Sequence, residues 1–403
     1  MSFLLSLFSF LLYLLAAYLL LNCLYLLFFA VAGHWRARLR PLPAVPAAPR
    51  RLCVLMPVYR EDAVILETAA QAHAHRYRGA AQVVVIADGL RPDTVQQLRQ
   101  QGIGVVEVQF ERSTKGKALR HALDTLPTGA FDVAVVLDAD NVMAPGLLDA
   151  VDDAFGRGYR AVQAHRTAKN QGTAFALLDA CNEEINNHLY RQGPAAVGLP
   201  AALIGSGMAF DYGYLQRLLA DIGETVGEDK ELDFRLARDE QPVAYLSDAY
   251  VLDEKIENAQ VFTQQRTRWL ASQWEFMKKY GPEGLPQLLR GNGAFFNKVV
   301  QAFLVPRTLL LALLGLLTVA SGLLWLVRPL GPSPLLWASL LLLPMATLLL
   351  SLPGRYYNRA TLRAVLQLPY AIWCMVRALF GMGRTRTSFL ATPHKVQSAL
   401  QAE

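Results

Sequence analysis

Three long apolar runs without a charged side chain set the frame for any fold this chain can adopt. They are Ser2 to Ala32, Thr308 to Val327 and Leu335 to Leu352. Each is near or above the roughly 20 residues that cross the hydrocarbon core of a bilayer. The 403-residue chain has a mean hydropathy of +0.24 and is 53% hydrophobic and 18% charged, and the apolar excess sits at its two ends. The polar middle, from about Leu52 to Lys279, is long enough for one α/β domain. A chain of this pattern reads as a folded domain held between membrane segments.

The first run lacks the basic start of a secretory leader and exceeds the usual apolar length of one, which predicts a retained anchor. His34, Arg36, Arg38 and Arg40 follow it, then a proline-rich stretch from Pro41 to Pro49 and the pair Arg50-Arg51. Positive flanks favour the cytoplasmic side, so the anchor is expected to run inward and leave the middle domain in the cytosol. The second and third runs are separated by Arg328-Pro-Leu-Gly-Pro-Ser-Pro334, a connector that predicts a helical hairpin, with Arg355, Arg359 and Arg363 marking the return. Leu285 to Phe303 and Leu366 to Phe380 mix cations with Phe, Trp and Leu and read as interfacial segments. The second of these also fits a short fourth crossing. The division expected is thus 1–33 anchor, 34–51 linker, 52–280 catalytic domain, 281–307 interfacial helices, 308–353 hairpin and 354–403 interfacial tail.

The net charge of +6 is accounted for by arginines beside the apolar runs. No basic and aromatic pattern of a nucleic-acid module is present, so nucleic acid is excluded as a partner. Cys23, Cys53, Cys181 and Cys374 match no metal or redox spacing.

Within the middle domain, strands are predicted at Leu52–Met56, Gln82–Ala87, Val105–Gln109 and Val133–Leu137, alternating with helices at Ala63–His75 and Lys117–Leu126. Short, wholly apolar strands alternating with helices predict a largely parallel sheet, and ligands bind at the carboxyl ends of such strands. Those ends carry Tyr59, Asp88-Gly89 and Asp138-Ala139-Asp140. Two aspartates one residue apart beyond a buried strand can approach a single Mg²⁺ or Mn²⁺, although Asp after a strand is also a common turn former. Lys115 and Lys117 can meet phosphate oxygens as point charges or form a solvated basic loop.

These residues, in this order, resemble the inverting nucleotide-sugar glycosyltransferases of family 2 with the GT-A fold, which include cellulose, chitin and hyaluronan synthases and ceramide glucosyltransferase. The resemblance covers residues 52 to 280. It implies that Tyr59 and Glu61, in Pro57-Val58-Tyr59-Arg60-Glu61, hold the nucleobase, Asp88 the nucleoside and Lys117 the diphosphate. Asp138 and Asp140 are implied to hold nucleotide and metal, Gly205-Ser206-Gly207 to line the sugars, and Glu228-Asp229 to supply the general base through Asp229. Gln265, Arg268 and Trp269 match the Gln-x-x-Arg-Trp signature of membrane-embedded members. Arginine offers multidentate donation to phosphate and tryptophan a flat face for a sugar ring. Ala87-Asp88-Gly89-Leu90 and Gly227 depart from the family pattern. His165, Arg166 and Asn170 are further candidates for the donor pocket, with a structural role as the alternative.

The resemblance implies a cell-membrane enzyme with a nucleotide-sugar donor, a UDP-sugar first. A growing polysaccharide is the first acceptor expected and a membrane lipid the second. Three spans make a narrow conduit for a polymer, which would call for the interfacial helices, a second copy of the chain or an export partner. A secondary transporter is disfavoured by the long polar domain and the few, unrepeated spans.

Overall fold

The structure is a computed structural model that describes residues 2–35, 37, 39–41, 48–225 and 227–381. Arg36, Arg38, linker residues 42–47 and tail residues 382–403, on which parts of the charge-flank, linker and tail readings fall, lie outside the described residues. The middle domain is built on eight strands: β1 (Leu52–Tyr59), β2 (Ala81–Asp88), β3 (Gly104–Val108), β4 (Val133–Val136), β5 (Val142–Met143), β6 (Ala161–Ala168), β7 (Met208–Asp211) and β8 (Val243–Asp253). They form one sheet in the order β3-β2-β1-β4-β7-β6-β8-β5. β1 pairs in parallel with β2 and β4, β2 with β3, and β6 with β8, whereas β7 runs antiparallel to β4 and β6, and β5 to β8. The result is a mostly parallel, GT-A-like α/β sheet.

The apolar strands are explained by burial on both faces, with alternate residues serving opposite layers. Val54, Met56, Val83, Val85, Val133 and Val135 pack on one face against the helices Asp62–His73 and Leu147–Gly156. Cys53, Leu55, Val84, Ile86, Ala134 and Val136 pack on the other against the helices Lys115–Thr125 and Glu228–Arg238. β1 continues past Met56 through Pro57 to Tyr59. Its pairing with β4 ends at Leu55, so the missing N–H of Pro57 breaks no ladder bond on that side.

Three described helices are long and apolar enough to cross a membrane: Phe3–Ala32, Arg307–Val327 and Pro334–Ser351. Leu19, Cys23 and Leu26 of the first pack with Leu310, Leu314, Trp337 and Leu340 of the other two. Between the domain and the hairpin, the stretch read as interfacial folds into the helices Gly284–Leu289 and Gly293–Phe303. The tail segment forms two short helices, Arg359–Val365 and Leu368–Gly381, bent by 47° at their junction. The second of them packs Met375 and Ala378 on Leu270 of the helix Ala259–Tyr280.

Polar contacts fasten the membrane helices to the domain. The Asn22 carbonyl accepts the Val305 N–H at 2.8 Å, and the Tyr18 hydroxyl donates to the Phe303 carbonyl at 2.5 Å. A π-helical turn, His188–Gln192, follows the helix Ala174–Asn187; His188 lies 2.8 Å from the Ala30 carbonyl, and Gln192 donates to Gly33 at 2.6 Å. Lys298 reaches from the interfacial helix to both Asp233 oxygens at 3.1 Å, each side chain 2% exposed.

A second clamp holds the start of the domain. Asp152, 1% exposed, accepts from Arg50 at 2.9 Å and Arg78 at 2.6 Å. Burial pushes its carboxyl up, but Arg78 and Arg50 outweigh burial and hold it below the usual carboxylate range. A group depressed in this way stabilises the fold fully above its unfolded value, about pH 4, and loses that contribution as pH falls through the native value. Asp152→Ala is therefore expected to cost about 3 kcal/mol at neutral pH, read as a lower unfolding midpoint of the detergent-solubilised protein. The deficit should shrink on acidification, and a constant deficit down to the acid limit would refute the clamp.

Candidate active site

The parallel strands bring the functional residues together because their carboxyl ends stop side by side. Tyr59 and Asp88 are register partners at the ends of β1 and β2, and the Arg60 N–H donates to the Asp88 carbonyl at 3.0 Å. Arg60 takes a left-handed φ of 56° and lays its guanidinium 5.0 Å from the centre of the Tyr59 ring. Gly89, with φ 71°, is where a Cβ would press the Arg60 side chain at 3.0 Å, so the turn needs glycine. Burial pushes the Asp88 carboxyl up, against Ser113 and Arg60, which lower it. Tyr59, Glu61 and Asp88 line one end of a cavity of about 530 Å³.

Asp138 and Asp140 follow β4 and also line this cavity. Asn141, fully buried, organises both: its amide donates to Asp140 at 3.1 Å and to Asp253 at 2.9 Å, and its carbonyl accepts from the Ser206 hydroxyl at 2.5 Å. Ser206 in turn accepts the Asp138 backbone N–H at 3.0 Å. Of the predicted Gly205-Ser206-Gly207 loop, Gly205 alone lines the cavity. Ser206 is buried beneath it, and Gly207, at φ 63°, is crowded by Val251, 2.8 Å from where a Cβ would stand. The loop supports the aspartates from below, so the lining role expected of Ser206 and Gly207 is corrected to a scaffolding one. Asn141 was missed because an asparagine after an Asp-x-Asp is indistinguishable in sequence from a turn residue.

Of Lys115 and Lys117, the one that lines the cavity is Lys115. Its ammonium bonds Asp138 and the Gly205 carbonyl, the latter at 2.7 Å, and lies 3.5 Å from Glu228. Burial pulls it down, but Asp138 and Glu228 outweigh burial and hold it above the ordinary lysine value. The assignment of Lys117 to the diphosphate is thereby corrected. Lys117 does not line the cavity and pairs with Glu224 at 2.8 Å. Both lysines lie in the first turn of one helix, and a two-residue step rotates a side chain by about 200°, so they face opposite ways.

Glu228 and Asp229 open the helix Glu228–Arg238 and line the cavity opposite Asp138. Burial pushes the Glu228 carboxyl up, with Lys115 opposing and Asp229 adding to the rise. Gly227 has a steric reason: a Cβ there would stand 2.4 Å from Ser272 Oγ and 2.9 Å from the Phe276 ring. The glycine lets the helix Ala259–Tyr280 approach the two carboxylates. Gln265, Arg268 and Trp269 project from that helix into the cavity at i, i+3 and i+4, the spacing of one helical face. Arg266, on the other face, bonds Asp179 at 2.6 Å and sits 4.1 Å over the Trp269 ring, fixing its plane.

Arg166 lines the cavity, bonding Glu183 at 3.0 Å. His165 turns away to Glu184 at 3.0 Å and Tyr245 at 2.8 Å, and the Asn170 side-chain carbonyl accepts the Lys255 backbone N–H at 2.6 Å, so both have structural partners. Sequence reasoning did not find Lys255, Glu183 and Asp253, which line the cavity beside Arg166. They are scattered through the chain and form a cluster only in the fold.

No group of three or more His, Cys, Asp or Glu side chains suited to a metal occurs among the described residues. Asp138 and Asp140 would therefore supply at most two oxygen donors. That fits a divalent cation completed by substrate phosphates and water.

A GT-A sheet with carboxylates, a buried lysine and an arginine gathered on one cavity fits a nucleotide-sugar-dependent glycosyltransferase. Residues 49–272 match the family described as Glycosyltransferase like family 2, and the chain belongs to that family. Among solved structures, the fold is similar to a mannosyltransferase from Pyrobaculum calidifontis in complex with GDP-mannose and Mn²⁺. The two are 18% identical, with 90% of this chain and 99% of that one covered at a TM-score of 0.52. A glucosyl-3-phosphoglycerate synthase from Mycobacterium tuberculosis, in complex with Mn²⁺, UDP and glucosyl-3-phosphoglycerate, aligns over 54% of this chain and 80% of its own. It is 20% identical, with a TM-score of 0.34. No curated protein sequence matches significantly.

The two lysines make a sharp test. Lys115→Ala is expected to lower sugar transfer about a hundredfold, the scale of losing one preorganised electrostatic donor. Lys117→Ala should stay within about threefold of wild type, as a surface ion pair contributes little. The reverse order in steady-state rates would overturn the assignment.

Proposed function

We propose that this protein is a membrane-bound inverting glycosyltransferase that moves one sugar from a nucleotide donor, a UDP-sugar first, onto a hydroxyl of a membrane lipid. The observation that carries the acceptor is the lining of the cavity. Besides Tyr59, Asp88, Asp138 and Asp229 it includes Leu304, Val305 and Pro306, directly before the Arg307–Val327 helix. Leu304 also lines a second, apolar cavity of about 360 Å³. Its walls include Leu21 of the first apolar helix and Leu285, Phe296, Val300 and Phe303 of the interfacial helices. A lipid tail resting there would leave its headgroup beside Asp229.

In this reading Tyr59, Glu61 and Asp88 hold the nucleoside, while Lys115 and Arg268 hold the diphosphate. Asp138 and Asp140 would hold Mg²⁺ or Mn²⁺, which supplies charge neutralisation to the leaving diphosphate when bound. Asp229 takes the proton of the acceptor hydroxyl as its oxygen bonds the anomeric carbon. The bond from that carbon to the diphosphate breaks on the opposite face, and the configuration inverts. Trp269 offers its exposed face to a sugar ring, and Glu228, held neutral more readily by burial, keeps repulsion on Asp229 low. The positive residues flanking the apolar helices support a cytoplasmic catalytic domain in the cell membrane.

The test is to incubate the full-length, detergent-solubilised protein with UDP-sugars and GDP-mannose, Mg²⁺ or Mn²⁺ and membrane lipids, and to resolve products by mass. One defined glycolipid is expected, abolished by Asp229→Asn while donor binding persists. A ladder of repeat units abolished by the same substitution would replace the lipid reading with polysaccharide synthesis.

A further inference from the structure

The cavity is electrically two-ended. Its nucleotide end is acidic, with Asp88, Asp138, Asp140, Glu228 and Asp229 facing Lys115 and Arg268. Toward Pro306 and the apolar helices the cavity also carries guanidinium groups. Arg191 lines it and is 4% exposed, yet its hydrogen bonds go to the Asn187 side-chain carbonyl and the Ala202 backbone carbonyl, both at 3.1 Å. Arg307 follows the lining residue Pro306. It donates from Nη2 to Asn182 and Asn186 at 2.7 Å, and its buried Nη1 has no hydrogen-bond partner. Its guanidinium lies 5.9 Å from the ring centre of Tyr190, another lining residue.

The carboxylates nearby are paired with other cations, and Glu183 keeps one buried oxygen, Oε1, without a hydrogen-bond partner. Asp233 is held by Lys298 at 3.1 Å and Asp179 by Arg266 at 2.6 Å. Glu183 is held by Arg166 at 3.0 Å and Lys255 at 3.5 Å. Two guanidiniums are thus withdrawn from water against neutral partners. A buried cation without an anion is costly, and arginine forks match phosphate and carboxylate geometry. Burial pulls Arg191 below the ordinary arginine value against the opposing charge of Glu183, and a further anion would reverse that fall.

We propose that Arg191 and Arg307 bind an oxyanion, a phosphate or carboxylate, carried on the acceptor lipid itself. This rests on the lipid-acceptor reading. An anion here would sit at the membrane end of the cavity, so that the acceptor hydroxyl extends from it toward Asp229. The enzyme would select acidic lipid headgroups bearing a free hydroxyl over neutral ones.

The experiment uses full-length protein in vesicles of neutral phosphatidylcholine, with phosphatidylglycerol as the anionic hydroxyl-bearing probe and diacylglycerol as the neutral one. A third set of vesicles carries diacylglycerol together with phosphatidic acid, which supplies the anion on a lipid with no hydroxyl to glycosylate. Wild type is expected to prefer phosphatidylglycerol in kcat/KM by roughly tenfold to a hundredfold, the range for a hydrogen bond to a charged group. Arg307→Gln and Arg191→Gln should collapse that ratio toward one through acceptor KM, and Arg307→Lys should restore part of it. Equal use of both acceptors by wild type, or equal loss on both in the variants, would overturn the anion site while leaving lipid glycosylation intact. Stimulation of diacylglycerol transfer by phosphatidic acid to the phosphatidylglycerol level would also overturn it, assigning the anion to a separate lipid. Failure to glycosylate either lipid, with a soluble glycan elongated instead, would remove the lipid-acceptor reading as well.

Discussion

The buried ammonium of Lys115 is the point on which the rest of the site depends. Asp138 and Glu228 come from opposite sides of the cavity, one after β4 and the other at the head of a helix some ninety residues later in the chain, and Lys115 lies between them. Carboxylates gathered in a partly desolvated cavity repel one another, so burial and Asp229 push Glu228 up, and a cation is needed to oppose the rise. Lys115 supplies that cation, bonds the Gly205 carbonyl, and so draws three separate stretches of chain to one place. The small residues around it follow from the same crowding. A side chain at Gly205 would start 3.5 Å from the Lys115 ammonium, and one at Gly227 would collide with Ser272.

The same logic of paired buried charge joins the α/β domain to the helices that follow it. Lys298 crosses from the helix Gly293–Phe303 to Asp233, which also accepts the Leu203 N–H at 3.2 Å, so that helix helps fix the wall of the cavity. Asn22, inside the first apolar helix, satisfies the Val305 N–H where the chain turns toward the hairpin. A polar side chain in an apolar helix is expensive unless partnered, and this one has a structural partner. These contacts hold the Leu304–Pro306 segment in the lining of the cavity, directly before an apolar helix.

Much of this was legible in the chain because it depends on local pattern. The charge-free runs, the apolar strands and the polar residues at strand ends are all short-range signals, and β1, β2 and β4 begin within one residue of where alternation and turn residues place them. The approach of Gln265, Arg268 and Trp269 to one cavity follows from helical spacing alone. The choice between Lys115 and Lys117 does not, since both are basic and two residues apart in one helix. The direction of that helix's buried face against the sheet decides it. Asn141, Lys255 and Glu183 escaped for a related reason. Their roles come from partners 65 to 112 residues away or from charges gathered by β6 and β8, and no local motif encodes such a meeting.

The sequence by itself determined the architecture of apolar helices flanking an α/β domain, the family, and the acidic and aromatic residues that the fold gathers on one cavity, because periodicity and motif spacing act over a few residues. Tertiary structure decided which of Lys115 and Lys117 lines that cavity, that Gly227 is a steric necessity, and which buried charges meet there. The physical reason is that electrostatic compensation is a property of distance in space. Arg191 and Arg307 are ordinary arginines in the chain, and their hydrogen bonding to neutral groups exists only once the fold has removed them from water.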